Sequence, residues 1–207
     1  GQQLMSMSAA TMSCCPPAAA LEPPADVDLL SAATAPQGYY SWPAVSGSRL
    51  AFVCEGSVWV GALPGQGAGR CEPRRATDGA GVASHLVFSP DGALLAYTLE
   101  EHKHEEVYAC AAQGGASRRL TYQGARRCRV VGWSRDGRAV LFASEAPCAD
   151  NAVSGELCLW QVPLAGGAPV PLGLGESSSL ELEPSADGAG VLLGRHTGDP
   201  AVDEWKG

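Results

Sequence analysis

Two adjacent arginines, Arg126 and Arg127, are the residues whose type and spacing most clearly suggest binding chemistry. Guanidinium groups present forked N–H donors that match a carboxylate, so such a pair on a loop can hold the C-terminus of a peptide. The pair lies in segment 107–138, where seven arginines face one acid, a net charge of +6. Segment 139–207 carries −8, so the alternative is a solvated loop whose arginines form ion pairs with the acidic segment that follows.

Two histidines on either side of a lysine, His102 and His104, form the second candidate site. They could ligate a metal, but alternating charged residues between two strand-like runs are more typical of a solvated hairpin tip. We therefore expect no metal and no cofactor. The sequence has no G-x-S-x-G, H-E-x-x-H or Walker-type motif, and no histidine lies in a nucleophile motif, so it predicts no catalytic residue here.

The composition limits the partners of the chain. Its 207 residues carry a net charge of −8, which argues against nucleic-acid binding. No apolar run approaches the roughly 18 residues of a membrane span. None of the eight cysteines belongs to a C-x-x-C pair, and several lie in apolar runs, which favours a reducing compartment.

The first 37 residues have no hydrophobic periodicity, and residues 1–21 carry no charge. We predict a disordered leader over 1–37, with a targeting segment as the alternative. Its Ser and Ala content is typical of plastid transit peptides, but it lacks their arginines, so we expect a cytoplasmic protein and keep a plastid as the alternative.

From residue 38 onward the sequence repeats. Turn glycines followed by apolar strands lie at Gly47, Gly92, Gly137 and Gly188, spaced by 45, 45 and 51 residues. Each unit reads as four short strands, which is typical of a β-propeller blade. The sequence thus predicts an all-β protein, a partial β-propeller of about three and a half four-stranded blades out of an expected six. The predicted units are 38–80, 81–125, 126–175 and a truncated 176–207.

Aromatic residues fall on the predicted strands, where we expect them to pack between blades rather than bind a ligand. They are Trp59, Phe88, Tyr97, Tyr108, Trp133, Phe142 and Trp160. At about 40–45 residues per blade, a closed six-bladed ring needs roughly 240 to 270 residues. The 170 residues after the leader are fewer. We therefore expect a fragment with an unpaired blade edge.

The repeat resembles known propellers. The FSPDG run at 88–92 is similar to the TolB-like repeat. The wider pattern resembles the tricorn protease family: YSWP at 40–43, the strand pair 50–59, RRLTY at 118–122 with VVGW at 130–133, and GRHT at 194–197 followed by DP at 199–200 and WK at 205–206. The resemblance covers about 38–207, with the 194–197 run as its most specific part.

The resemblance implies a non-catalytic N-terminal six-bladed propeller, followed elsewhere by a second propeller, a PDZ-like domain and a serine peptidase domain. The family's catalytic residues belong to that later part and have no counterpart in these 207 residues. It also implies a homo-oligomeric serine endopeptidase that acts on peptides downstream of the proteasome. In this family, two adjacent arginines from a propeller loop are thought to hold the substrate's C-terminal carboxylate, and Arg126 and Arg127 lie at the matching place.

Two other functions stay open. A TolB-like propeller without an enzyme would serve as a scaffold for protein–protein contacts. A prolyl-oligopeptidase-type hydrolase would carry an α/β-hydrolase domain with a G-x-S-x-G elbow after its propeller.

Overall fold

The computed structural model describes residues 38–63, 73–77, 81–149, 156–176, 179–182 and 191–194, and every regular element in those ranges is a β-strand. In these ranges, no helix is long and apolar enough to cross a membrane. The predicted leader 1–37, the Gly188 turn and the family-like run at 194–197, apart from Gly194, lie outside the described residues, as do 199–200 and 205–206. The predicted domain boundaries stay predictions.

Three sheets of four antiparallel strands follow one another along the chain, each with its strands in sequence order. The first contains β1 (Tyr40–Ser46), β2 (Arg49–Cys54), β3 (Ser57–Ala62) and β4 (Arg74–Arg75). The second contains β5 (Val82–Phe88), β6 (Leu94–Glu101), β7 (His104–Ala111) and β8 (Arg118–Arg119). The third contains β9 (Cys128–Trp133), β10 (Ala139–Ser144), β11 (Cys158–Pro163) and β12 (Val170–Glu176). A two-stranded sheet follows, made of β13 (Ser179–Leu182) and β14 (Val191–Gly194).

The first strands of successive sheets are neighbours, which is the arrangement around a propeller axis. Strand β5 contacts both β1 and β9, and β13 contacts β9. The sheets are thus blades whose first strands are innermost, and β13 occupies the place of the first strand of a fourth blade. The predicted all-β partial propeller of four-stranded blades is confirmed.

The hydrophobic core lies between blades. One cluster joins buried residues of the first and second sheets, such as Val58 and Leu95, and another joins the second and third, such as Val107 and Val140. Six of the seven predicted aromatics are buried, whereas Trp59 is half-buried. Their role as core residues is therefore confirmed for those six: Phe88, Tyr97, Tyr108, Trp133, Phe142 and Trp160.

The two Asp-Gly turns that the structure describes, at 91–92 and 136–137, share one hydrogen-bond pattern. In the second blade, the Ser89 hydroxyl donates to Asp91 Oδ1 at 2.6 Å, and Asp91 Oδ1 accepts the Ala93 amide at 3.0 Å. Ser134 and Asp136 repeat the first contact at 2.6 Å in the third blade. Gly92 and Gly137 have φ of 69° and 67°, a region where a Cβ is strained. The hydrogen bond from the serine hydroxyl has the largest effect on each aspartate, followed by the bond from the backbone amide two residues later. Both bonds lower the pKa of Asp91 and of Asp136.

The outermost strands of the first two blades end earlier than the repeat pattern predicts, whereas β12 in the third blade continues to Glu176. In the repeat pattern, the runs 75–77 and 119–121 predict the short outer strands of these two units, but β4 and β8 end at Arg75 and Arg119. Beyond them a threonine hydroxyl takes the place of a strand carbonyl: Thr77 Oγ1 accepts the Val58 amide at 3.0 Å, and Thr121 Oγ1 accepts the Val107 amide at 2.8 Å. The blade edge is thus completed by side chains where the backbone turns away.

Candidate functional site: the arginine loop between the second and third blades

The arginine pair lies in the connection from β8 to β9, defined here as the arginine loop, residues 120–127. Ala125 and Cys128 flank the pair and are buried, with 6% and 1% of their surface exposed. Arg126 and Arg127 between them are exposed. Because Cys128 begins an innermost strand, the pair lies directly before the inner strand of the third blade.

Glu145 of the third blade binds the pair from one side. Its Oε1 accepts the Arg126 amide at 2.7 Å, and its Oε2 pairs with Arg127 Nε at 3.0 Å. The Glu145 amide in turn donates to the Arg127 carbonyl at 3.2 Å. Partial desolvation opposes ionisation of this carboxyl, but the bonds from Arg127 and the Arg126 amide outweigh it and lower the pKa of Glu145.

The hairpin between β6 and β7 holds the loop from the other side. The Glu105 amide donates to the Ala125 carbonyl at 2.9 Å, and Glu105 Oε2 accepts the Cys128 amide at 2.6 Å. His104 Nδ1 lies 2.9 Å from the Gly124 carbonyl oxygen. The backbone on both sides of the arginine pair is therefore bonded to one strand end.

Glu106 binds the beginning of the loop from within the blade. Only 3% of its surface is exposed. Its carboxylate accepts hydrogen bonds from Arg119 Nη2 at 2.9 Å, from the Thr121 hydroxyl, and from the amides of Gln123 and Gly124 at 3.2 and 2.7 Å. A buried carboxylate is costly unless its acceptor sites are filled, and here four donors fill them.

The two arginine side chains differ in the interactions that they make. Arg127 forms the ion pair with the following blade that the solvated-loop alternative predicts. The Arg126 guanidinium makes no hydrogen bond or ion pair with any residue that the structure describes. The loop therefore presents one exposed guanidinium beside a second that is partly engaged, and carboxylate binding by the pair stays a prediction.

The predicted hairpin tip is also described. His102 and Lys103 form the turn, with φ of 53° and 67°, and the side chains of His102 and His104 are exposed. A cavity of about 200 Å³ opens between this tip and the loop, lined by Leu99, Glu101, His102, His104, Glu106, Arg119 and Gly124. No group of three or more potential ligands in the described ranges is arranged to hold a metal ion.

Sequence reasoning missed the three carboxylates that bind the loop, Glu105, Glu106 and Glu145. One signal for Glu106 was present. The repeat units, once aligned, place an acid in the second unit where the first has Ser57 and the third has Cys158. Glu145 carried no such signal, because its contact with Arg126 depends on the register between β9 and β10, which places Glu145 beside the residues just before Cys128.

Sequential four-stranded sheets whose first strands adjoin, with an arginine-bearing loop between two of them, define a β-propeller domain. The family model of the Tricorn protease N-terminal beta propeller domain matches residues 37–207. The chain belongs to this family, and the sequence resemblance is confirmed.

Individual proteins agree with the family assignment. Tricorn protease homolog 1 of Streptomyces coelicolor is 34% identical over 106 residues, which cover 51% of this chain and 10% of the relative. The chain thus spans about a tenth of that relative's length. The crystal structure of the tricorn protease has a TM-score of 0.60 at 24% identity, covering 73% of this chain and 14% of that one. TolB from Acinetobacter baumannii has a TM-score of 0.59 at 18% identity, covering 78% and 39%. The two structures share the fold.

Proposed function

We propose that this propeller is the non-catalytic N-terminal part of a tricorn-like serine peptidase, where it lines a peptide channel and holds peptide C-termini through Arg126 and Arg127. The complete protein would be a cytoplasmic homo-oligomer that cleaves peptides released by the proteasome. Family membership supports the peptidase context.

The observation that carries the binding role is the presentation of the arginine pair. Arg126 is exposed, and its guanidinium has no partner among the described residues, while its backbone amide is bonded to Glu145. A fixed backbone under an uncommitted guanidinium suits a forked hydrogen bond to a carboxylate, because little ordering remains to be done on binding. The free C-terminus of a peptide is such a carboxylate.

The experiment compares two forms of one peptide in the complete enzyme, one with a free C-terminal carboxylate and one amidated. The double variant Arg126→Ala/Arg127→Ala should raise KM for the free peptide by about 10- to 100-fold, since hydrogen bonds to charged groups contribute about 1.5–3 kcal/mol. KM for the amidated peptide should change little.

The first blade provides a matched control. Arg74 and Arg75 are another adjacent, exposed arginine pair, on the outermost strand β4. The variant Arg74→Ala/Arg75→Ala also removes two positive charges, but at a site outside the arginine loop. It should therefore leave the preference for the free peptide intact. Equal loss on both peptides in Arg126→Ala/Arg127→Ala would refute the binding role and favour a scaffold function.

A further inference from the structure

Glu106 is buried at a place where the repeat itself does not require a carboxylate. In each blade, one aromatic residue of the second strand pairs with one of the third strand, and these pairs are equivalent positions of the repeat. The pairs are Phe52 with Trp59, Tyr97 with Tyr108, and Phe142 with Trp160. Two residues before Trp59 and Tyr108 lie Ser57 and Glu106, and the same offset before Trp160 gives Cys158. All three are buried, with 5%, 3% and 1% of their surface exposed.

The first blade shows what the fold needs at this point. There Thr77 Oγ1 accepts the Val58 amide with Ser57 as the neighbour, and the blade edge is complete without a charge. The second blade repeats that bond between Thr121 and Val107 and adds the carboxylate. A buried charge that the scaffold can do without is a cost unless it serves another purpose.

The carboxylate of Glu106 additionally binds the backbone of the arginine loop. Besides hydrogen bonds from Arg119 and the Thr121 hydroxyl, Glu106 accepts those of the Gln123 and Gly124 amides, three and two residues before Arg126. In the first blade, the equivalent position holds a serine, which has no second oxygen to reach such amides.

Two further carboxylates bind backbone amides that follow Gly124 in the chain. Glu145 accepts the amide of Arg126 itself, and Glu105 accepts the amide of Cys128. Together with Glu106, they accept hydrogen bonds from the loop amides at 123, 124 and 126 and from the amide of Cys128 at the start of β9. The acceptors come from two blades, so the loop conformation is defined by side chains on both sides of the blade junction.

We propose that Glu106 is a positioning residue for peptide binding: with Glu145, it holds the arginine loop in the conformation that aims Arg126 and Arg127 at a peptide's C-terminal carboxylate. This inference rests on the proposed function. Glu106 is buried and acts only through the loop, so its removal changes where the guanidinium groups lie rather than which groups are present.

The test uses the complete enzyme and the free and amidated forms of one peptide. Glu106→Gln keeps the side-chain volume but replaces one acceptor oxygen with a donor, so it should raise KM for the free peptide by about tenfold or more, as small misplacements of binding groups do. The turnover number kcat, and KM for the amidated peptide, should stay the same. Glu106→Ser, which copies the first blade, should give the same pattern.

A matched control separates positioning from simple structural support. Ser57→Ala changes the equivalent buried position in the first blade, far along the chain from the arginine loop, and should leave the preference for the free peptide unchanged. Amide hydrogen exchange supplies an independent readout, because Glu106→Gln should speed exchange at Gln123 and Gly124 and leave the first blade as it was.

Each outcome decides the matter. Equal loss on both peptides, or an unchanged KM for the free peptide, would overturn the positioning role. If Glu106→Gln does not fold, Glu145→Gln decides instead, because Glu145 is partly exposed and accepts the Arg126 amide. A selective rise in KM would support the proposal, and no rise would overturn it.

The failure of this inference is distinguishable from the failure of the proposed function. If Arg126→Ala/Arg127→Ala itself shows no selectivity for the free peptide, the proposed function fails. If that double variant is selective but the Glu106 and Glu145 variants behave like the unmodified enzyme, only the positioning role fails.

Discussion

The indole of Trp42 stacks on the imidazole of His85, with ring centroids 4.0 Å apart and planes tilted by 34°. The two residues lie on adjacent innermost strands and have φ of 52° and 49°, which is uncommon for residues with a Cβ. Both stand where the strand register shifts, between Ser41 and Ala44 in one blade and between Ser84 and Val87 in the next. The same bulge in two blades thus turns two rings toward each other.

This stack predicts an acid-sensitive contact. Burial, and secondarily the charge of Arg129, lower the pKa of His85 to about 4, against an ordinary value near 6.5. At pH values between these two pKa values, His85 is mostly protonated in the unfolded chain and mostly neutral in the folded protein. The stability from neutral His85 should therefore be complete above pH 6.5 and decline as the pH falls toward 4.

Exchange of the imidazole C2 proton, followed by mass spectrometry, measures this pKa for one histidine in a protein of any size. We expect a midpoint near pH 4 for His85 in the native protein and an ordinary one in urea. His85→Phe should remove the corresponding part of the pH dependence of melting. A native midpoint near 6.5 would contradict the burial of this ring.

The threonines that complete the blade edges predict a local loss of stability. Thr121→Val removes the acceptor of the Val107 amide and leaves a buried N–H unpaired, at a cost of about 1–3 kcal/mol. Exchange of that amide should become at least several-fold faster. Thr77→Val should do the same to the Val58 amide in the first blade.

Serine is the matched control at both threonine positions, since it retains the hydroxyl. The Thr121 variant should also loosen the arginine loop, because that hydroxyl donates to Glu106. The Thr77 variant should leave the loop unchanged. Unaltered exchange at Val107 in Thr121→Val would show that the hydroxyl does not complete the blade edge.

The buried cysteines predict a pattern of chemical reactivity. Burial raises the pKa of Cys110 to about 11, and burial together with Glu106 and Glu105 raises that of Cys128 further above the usual range. Because the thiolate is the nucleophile, iodoacetamide at pH 8 should label both cysteines only after unfolding. Cys54, which is half-buried, should be labelled faster in the native protein. Mass spectrometry of the digest gives the result, and rapid native labelling of Cys128 would be inconsistent with the structure.

The arginine pair predicts different effects for its two members. Arg126→Ala should raise KM for the peptide with a free C-terminus by about tenfold or more, since it removes a charge-assisted bond. Arg126→Lys should restore part of the loss, because an ammonium retains the charge but not the fork. Arg127→Ala should also loosen the loop, because it removes the ion pair with Glu145. The amidated peptide serves as the reference. If the ratio of KM for the amidated peptide to KM for the free peptide were the same in Arg126→Ala and in the unmodified enzyme, Arg126 would have no role in binding.

Local chemistry was readable from the sequence by itself. The Asp-Gly turns at 91–92 and 136–137 and the apolar strands after them predicted β-hairpins, because each depends on residues close in sequence. The spacing of the repeat, about one four-stranded blade, then predicted an all-β propeller. The same holds for the buried aromatics of the strands. The outer strands of the first two blades end before Thr77 and Thr121, because a threonine side chain can replace a strand carbonyl and a propensity pattern does not distinguish the two.

Only the tertiary structure determined how the arginine loop is held. The amide of Cys128, which begins the third blade, is bound by Glu105 of the second blade, 23 residues away, and this contact depends on the angle at which the blades adjoin. The stack of Trp42 on His85 likewise requires two bulges to face each other across a blade junction. Periodicity reports which side of a strand faces the core, whereas contacts between blades depend on twist and register summed over many residues, which no single motif encodes.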